Sequence, residues 1–208
     1  MARRRRKAWV REHESDSFVR RAQQEGYRAR AVYKLREIDA RYQLLRAGMT
    51  VIDLGAAPGG WSQYARERIG PSGRILALDL LEMQALQGVE FFRGDIADPA
   101  MLDLIEQCLA GRAVDLVISD MAPNISGDRV SDQTRAIELA TAVLAFAPRV
   151  LAPGGHLLLK AFQGEGFTDL RQAMRPAFAK FSTCKPQASR TRSREIYLLG
   201  QQFRCSMA

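Results

Sequence analysis

From Thr50 onward the chain alternates short apolar runs, which are typical of buried strands, with amphipathic runs, which are typical of helices. We predict strands over 50–55, 74–80, 89–94, 114–119, 156–162, 181–185 and 195–201, and helices over 60–69, 100–109, 131–151 and 167–178. This alternation predicts an α/β fold, in which a mostly parallel seven-stranded sheet carries helices on both faces. The last two strands have no helix between them, so we expect one of them to be antiparallel. Ligands of such sheets bind at the carboxyl ends of the strands.

The segment before the sheet is strongly basic. We predict a disordered basic tail over 1–12, followed by a single domain over 13–208 whose first part, about 13–47, is a helical extension. The chain has 208 residues and is 47% apolar, which suffices for a sizeable core. It has no apolar run of about 18 residues and no secretory signal, so we expect a cytoplasmic protein without a membrane span. The three cysteines (Cys108, Cys184 and Cys205) are far apart, and we expect them to be reduced.

Charge is distributed unevenly along the chain. Residues 1–46 hold 14 Lys/Arg and 6 Asp/Glu, residues 47–170 hold 9 and 16, and residues 171–208 hold 8 and 1. An acidic middle therefore separates two basic ends. If the fold brings these ends to one face, that face will attract a polyanion, and we favour nucleic acid. The alternative is a solubilising tail with scattered surface charge.

The loop after the first strand, in "VIDLGAAPGGWSQ", is typical of nucleotide-binding sheets. It is neither GxxxxGK[ST] nor GxGxxG, and it has no lysine for phosphate. Pro58 is predicted in the first helical turn, where it removes an N–H that a pyrophosphate would use. Asp53 would repel phosphate but could accept from a cationic amino acid group. Together with Gly55, these features favour S-adenosylmethionine as the cofactor.

The next two strands end in carboxylates. Asp79 could accept from both ribose hydroxyls of the cofactor, and Asp95 could accept from the adenine amino group with Ile96 against the ring. The alternative for either aspartate is a helix cap. Trp61 could stack on the cofactor or belong to the core, and the sequence leaves both open.

Two residues at neighbouring strand ends are candidates for catalysis. Asp120 follows the fourth strand in "ISDMAPN", without the aromatic residue that methyltransferases of base amines carry there. Lys160 lies among apolar residues in "GGHLLLKAF", where a lysine is unusual. It could face Asp120 from the adjacent strand, or it could be an edge lysine whose amine reaches solvent.

The chain resembles the FtsJ/RlmE family, the heat-shock-associated 2′-O-ribose methyltransferases of 23S ribosomal RNA. The resemblance runs from about Trp9 to Phe203 and rests on "GMTVIDLGAAPGGWSQY", "ISDMAPNISG", "VLAPGGHLLLKAFQGEGF" and "KPQASRTRSREIYLL". It implies a Rossmann-like class I methyltransferase fold with an antiparallel last strand. It also implies S-adenosyl-L-methionine as cofactor and, as substrate, a uridine in the A-loop of 23S rRNA within the large (50S) subunit, with a contribution to ribosome assembly.

By resemblance, the catalytic set is Lys34, Asp120, Lys160 and Glu195. Lys160 would take the proton of the ribose hydroxyl, which requires a lysine pKa below the ordinary value of about 10.4. Lys34 would supply the second cation that lowers it, Asp120 would orient Lys160, and Glu195 would orient a lysine or cap its strand. The family's cofactor positions correspond to Gly59, Trp61, Asp79, Asp95 and Asp120.

One departure from the family pattern stands before Lys34, where Ala29 replaces an expected serine. We expect no metal, because His13 and His156 are isolated in the sequence.

The basic segments that lead to Lys34 and Glu195 are candidates for RNA contact. They contain Arg28, Arg30, Arg36, Lys185, Arg190, Arg192 and Arg194. We expect a monomer. Alternative functions are the same chemistry on tRNA or an mRNA cap, or a non-catalytic RNA-binding assembly factor. A nicotinamide-dependent dehydrogenase is disfavoured by the chemistry of the loop.

Overall fold

The computed structural model describes residues 16–124 and 126–204. The predicted tail, His13 and Cys205 lie outside the described residues. The N-terminal extension forms helices α1 (Ser17–Gln24) and α2 (Val32–Tyr42). Asp16 is the N-cap of α1, and its carboxylate accepts from the Phe18 N–H, which has no partner within the helix.

The remaining described residues build one seven-stranded sheet with its crossover helices. The elements are β1 (Thr50–Leu54), α3 (Gly60–Ile69), β2 (Arg74–Asp79), β3 (Val89–Arg93), α4 (Pro99–Leu109), β4 (Val114–Ser119), α5 (Arg129–Val150), β5 (Leu151–Phe162), α6 (Phe167–Met174), β6 (Phe178–Cys184) and β7 (Glu195–Phe203). The strand order is β3-β2-β1-β4-β5-β7-β6. Strand β7 is antiparallel to both of its neighbours, and the other pairs are parallel. The predicted fold class is therefore confirmed.

Apolar cores lie on both faces of the sheet because successive side chains of a strand point to opposite sides. Ile52 and Leu54 of β1 belong to one core together with Phe146 of α5. Val51 belongs to the other core, which also contains Leu35 of α2. The N-terminal extension thus packs on one face of the sheet, and Lys34 comes to the site from that face.

The predicted boundaries around β5 and β6 are wrong. Strand β5 begins at Leu151, directly after α5 ends and five residues before the predicted start at 156. The pairing register of β4 with β5 shifts between Val114 and Leu116, and this irregularity accommodates residues 152–155 near the start of β5. Helix α6 ends at Met174, and a 3-10 turn leads into β6 three residues earlier than predicted.

Among the described residues, none of the helices combines the length and apolarity needed to cross a membrane. Cys108 and Cys184 are free thiols, and burial raises the pKa of Cys184 to about 11.

Candidate active site

The loop after β1 brings the chain close to the loop after β4. Gly55 has φ +78°, and a Cβ placed on it would lie 2.2 Å from Cγ of Met121, so only glycine fits here. Helix α3 begins two residues after Pro58, with Gly59 as its N-cap at φ +108°. The prediction of Pro58 in the first helical turn is therefore wrong. Pro58 follows a cis peptide bond, and its carbonyl accepts from Arg28.

A cleft of about 310 Å³ lies at the carboxyl ends of the first four strands, where such a fold binds small molecules. Its lining includes the predicted cofactor residues Gly55, Asp79, Asp95, Ile96 and Asp120. Apolar side chains that the sequence analysis missed complete the walls, among them Leu80, Leu81, Met121 and Leu139. Leu80 and Leu81 are 60% and 68% exposed, which is a large apolar area for a loop beside a cleft.

The aspartates of this cleft do not cap helices. The carboxylate of Asp79 accepts from the Ala57 and Leu81 N–H groups, which fixes its position at the end of β2. Asp95 accepts from the Ala97 N–H within a turn, and helix α4 is capped instead by Asp98. The capping alternative is therefore wrong for both residues. Each carboxylate oxygen has more than one lone pair, so these side chains can still accept from hydroxyl and amino groups of a ligand.

Asp53 is buried and does not line the cleft. The Ser62 hydroxyl donates to its Oδ2 at 2.6 Å, and its Oδ1 has no hydrogen-bond partner among the described residues. Burial raises the pKa of Asp53 to about 7, the negative charges of Asp120 and Asp79 add to this rise, and the Ser62 hydrogen bond opposes it. The Oδ1 of Asp53, an acceptor without a partner behind a cleft lined by carboxylates, fits a cofactor that carries a cationic amino acid group.

The side chain of Trp61 belongs to the core. Its Nε1–H donates to the Ala31 carbonyl at 2.8 Å, and its ring centroid lies 5.8 Å from that of Tyr197. The two alternatives for Trp61 are thereby resolved, because a side chain that is 3% exposed in this position cannot stack on a ligand in the cleft. Gly59, like Trp61, stands at the start of α3 and can meet a ligand only through its backbone.

The four predicted catalytic residues lie together, although they come from four separate elements. Lys160 Nζ lies 3.0 Å from Oδ1 of Asp120 and also donates to the Asp120 carbonyl. Lys34 Nζ lies 2.8 Å from Oε1 of Glu195 and 4.0 Å from Oδ1 of Asp120. All four side chains are at most 17% exposed. The alternative of an edge lysine whose amine reaches solvent is therefore wrong for Lys160.

Asp120 is held ionised at the centre of this cluster. Burial alone would raise the pKa of Asp120, but the positive charges of Lys160 and Lys34 and the donated hydrogen bonds outweigh it, so that this pKa lies below its ordinary value. A permanent carboxylate fixes the orientation of the two amines. The cluster thus holds two amines and two carboxyl groups, all largely shielded from solvent. It lies beside the cleft of about 310 Å³, which we call the cofactor cleft after the predicted cofactor residues in its lining.

Tyr197 is a member of the cluster that the sequence analysis missed. Its hydroxyl donates to Oδ1 of Asp120 at 2.5 Å, and Lys34 Nζ lies 5.8 Å from the centroid of its ring. Burial, followed by the charges of Asp120 and Glu195, raises the pKa of Tyr197 well above its ordinary value, so the phenol keeps its proton. A sequence signal existed, because Tyr197 stands two residues after Glu195 and shares its face of β7.

The two basic segments meet beside the cluster. The Gln187 N–H donates to both carboxylate oxygens of Glu37 on α2, and Arg30 donates to the Ala188 carbonyl. The N-terminal extension and the β6–β7 loop are therefore joined, which meets the condition under which the charge distribution predicts a face that attracts a polyanion.

Individual basic residues differ in what they contact. Arg30 also pairs with Asp16 and is only 16% exposed, so we correct its predicted RNA contact to an anchoring role. Arg28 donates to the carbonyls of Pro58, Gln84 and Ala85, and thus ties the extension to the loops around the cofactor cleft.

The other predicted RNA-binding residues lie nearer to solvent. Arg36 is 43% exposed and pairs with Glu25. Lys185 donates to the Ser193 carbonyl, and Arg190 and Arg192 also have contacts within the protein. Arg194 lies directly before β7, where its carbonyl accepts from the Gln163 N–H.

In the part of the chain that the structure describes, no three His, Cys, Asp or Glu side chains are grouped as metal ligands would be. His156 is buried and accepts from the Gln202 N–H.

The sequence of this chain is similar to those of a known protein family. The sequence profile of the FtsJ-like methyltransferases matches residues 27–203. The ribosomal RNA large subunit methyltransferase E of Azoarcus sp. (strain BH72) is 56% identical over 95% of this chain and 97% of its own length. That of Methylobacillus flagellatus is 54% identical over 95% and 96%.

Solved structures agree. A Plasmodium falciparum protein described as a ribosomal RNA methyltransferase has a TM-score of 0.77 at 28% identity, covering 85% of this chain and 98% of its own. Aeropyrum pernix fibrillarin in complex with S-adenosyl-L-methionine has a TM-score of 0.57 at 16% identity, covering 84% and 75%, and supports the fold alone. The sequence matches over nearly the whole length, together with the fold, show that the chain belongs to the FtsJ-like methyltransferase family.

Proposed function

We propose that this protein transfers the methyl group of S-adenosyl-L-methionine to a ribose 2′-hydroxyl of 23S rRNA in the large ribosomal subunit, the target being a uridine of the A-loop. The observation that carries the proposal is the buried cluster of Lys34, Asp120, Lys160 and Glu195 beside a cleft lined by carboxylates. Relatives above 50% identity named as large-subunit rRNA methyltransferases support the substrate class. The monomeric state and cytoplasmic location expected from the sequence are part of the same proposal.

Asp79 and Asp95 would hold the cofactor through its ribose hydroxyls and adenine amine, and Asp53, buried behind the cleft, would attract its cationic amino acid group without lining the cleft. The bound cofactor supplies a methyl group on a sulfonium, which needs no further activation. The protein's task is therefore to place the ribose hydroxyl in line behind that methyl and to accept the proton as the new bond forms.

Lys160 is the residue proposed to receive this proton. Asp120 fixes its amine beside the cofactor cleft, and the Lys34 amine lies 4.0 Å from the same carboxylate oxygen. Glu195 holds Lys34 in place at 2.8 Å. With the hydroxyl oxygen against Lys160, the Lys160 amine would accept the proton while an electron pair of that oxygen forms the new bond to the methyl carbon. The cofactor would supply the methyl group and retain the electron pair of the broken S–C bond.

The experiment uses labelled S-adenosylmethionine and large subunits from cells that lack this protein. Wild type, Lys160→Ala and Lys180→Ala are compared, with free 23S rRNA and tRNA as further acceptors. Lys180 is an exposed lysine of β6 and serves as the matched control. We expect ribose methylation at one 23S nucleotide, abolished in Lys160→Ala (at least about 100-fold slower) and unchanged in Lys180→Ala.

Other outcomes would change the proposal in defined ways. Label in tRNA alone would keep the chemistry and overturn the substrate. Binding of cofactor and subunits without any transfer would favour the non-catalytic assembly factor.

A further inference from the structure

A second cleft, of about 290 Å³, lies next to the catalytic cluster. It shares Ala122 and Pro123 with the cofactor cleft, and Phe162 forms part of its lining. Lys160 Nζ lies 5.9 Å from the centroid of the Phe162 ring. The atom that receives the methyl group would therefore sit between the two clefts, with the cofactor on one side and this space on the other.

The lining of the second cleft suits a flat aromatic ring that is attached to phosphate. Its apolar walls come from Ala122, Pro123, Ala136 and Phe162, and three arginines (Arg129, Arg192 and Arg194) also line it. The carboxylate that lines it, Asp132, already accepts from Ser126 and Gly127. Single-stranded RNA is typically bound through bases held against apolar and aromatic side chains, with cationic side chains near its phosphates.

Gln133 adds a polar group to this wall. Its side chain is buried, and its Nε2 donates to the carbonyls of Phe162 at 3.2 Å and Glu165 at 2.9 Å. These two bonds settle which end of the amide is the oxygen. Oε1 is buried and has no hydrogen-bond partner among the described residues, which is costly for a polar atom. An N–H group of a ligand would remove this cost.

We propose that the second cleft holds the base of the nucleotide whose ribose is methylated, with Phe162 and Pro123 against the ring and Gln133 Oε1 accepting from an N–H on the base edge. This assignment rests on the proposed function. Uracil fits it, because its N3–H is a donor on that edge. The loop after β4 has no aromatic side chain for a base, and Phe162 of the neighbouring strand supplies one.

Crosslinking tests the location without any variant. The methylated nucleotide is mapped first, and 4-thiouridine is then placed at that position in a synthetic RNA acceptor, irradiated with the full-length protein and S-adenosylhomocysteine. We expect the crosslink at Phe162, Gln133 or Ala136, which line the second cleft but not the cofactor cleft. A crosslink confined to Leu80 or Leu81 of the cofactor cleft, or to Lys185 or Arg190, would overturn the assignment while leaving the methylation intact. Failure of every acceptor to be methylated would overturn the proposed function, and the assignment with it.

Kinetics provide a second readout. Ala136→Leu places bulk in the cleft, and Gln133→Leu removes the acceptor together with the two hydrogen bonds that Nε2 donates. Thr134→Leu adds the same side chain on the exposed face of the same helix. We expect the first two to lower kcat/KM for RNA by about 10-fold or more, with unchanged affinity for S-adenosylmethionine, and the third to have no effect. If Ala136→Leu and Gln133→Leu lost affinity for S-adenosylmethionine as strongly as they lost kcat/KM for RNA, the assignment would be contradicted. Full activity of a folded Ala136→Leu protein would contradict it as well.

Discussion

At the scale of single residues, the proposed catalytic cluster is organised around one carboxylate oxygen. Oδ1 of Asp120 accepts from the Tyr197 hydroxyl at 2.5 Å and lies 3.0 Å from Lys160 Nζ and 4.0 Å from Lys34 Nζ. The phenol is the neutral member of this group, so it fixes the carboxylate without changing the net charge. We infer that Tyr197 is a positioning residue, acting through Asp120.

Tyr197→Phe should therefore lower kcat by about 10-fold, because a hydrogen bond to a charged acceptor contributes roughly 1.5–3 kcal/mol and its loss frees Asp120 to move. The ring remains against Trp61, so KM for RNA and affinity for S-adenosylmethionine should stay unchanged. Single-turnover and steady-state kinetics separate these quantities. Tyr27→Phe is the control, since it removes a similar bond to Glu67 outside the cluster. A loss of stability in Tyr197→Phe with full kcat would show a merely structural role.

The raised pKa of Asp53 predicts that the stability of the cofactor-free protein depends on pH. Its pKa is raised to about 7 in the folded protein, from an ordinary value of 3.8, so the folded state binds more protons than the unfolded state between these values. The free energy of unfolding should therefore fall as pH rises from about 4 to about 7. Asparagine at this position does not titrate. Asp53→Asn should thus lack a component worth roughly 2–3 kcal/mol between pH 5 and pH 8.

Urea unfolding at pH 5, 6, 7 and 8 measures this component. Asp103→Asn is the control, because Asp103 is an exposed carboxylate on α4. Identical pH profiles for wild type and Asp53→Asn would show that Asp53 ionises in both states alike.

At the scale of elements, the strands of the parallel part were predictable because each is a short run of apolar residues with a polar loop at its end. β1 and β4 need no information beyond their own sequence. The start of β5 was not predictable from local sequence, since Pro153, Gly154 and Gly155 are residues that usually interrupt a strand, whereas pairing of Leu151 with Val114 draws them into it. Tertiary pairing, not local propensity, decides this boundary.

The candidate site was likewise predictable from the sequence only in part. Asp79, Asp95 and Asp120 could be placed from the rule that parallel strands end at one edge. Joining Lys34 to Glu195 required the family resemblance, because they are 161 positions apart in the sequence and their contact depends on α2 packing against the sheet. Arg30 shows the opposite error, since a charge in a basic segment was interpreted as a surface group and is an internal anchor.

At the scale of the whole molecule, the fold joins two basic segments that the sequence separates by an acidic middle. The contacts of Glu37 with Gln187 and of Arg30 with Ala188 bring the N-terminal extension to the β6–β7 loop, next to the catalytic cluster. Lys185, Arg190, Arg192 and Arg194 lie in this loop. A polyanion attracted to this loop would therefore lie beside Glu195, the first residue of β7.

RNA affinity should accordingly depend on the salt concentration and on where in the protein a cation is removed. Removing one cation that neutralises a phosphate should reduce the slope of log K against log salt by about 0.7–0.9. Arg190→Gln should show this reduction together with weaker binding, measured by filter binding at several KCl concentrations. Arg175→Gln is the control, because it makes the same charge change in the same basic part of the sequence. Arg175 precedes β6, and the first residue of β6 pairs with Phe203. Phe203 lies at the end of β7 that is remote from Glu195. If both variants changed the slope equally, net charge rather than a defined face would direct the RNA, and the shared location of the basic segments would have no part in binding.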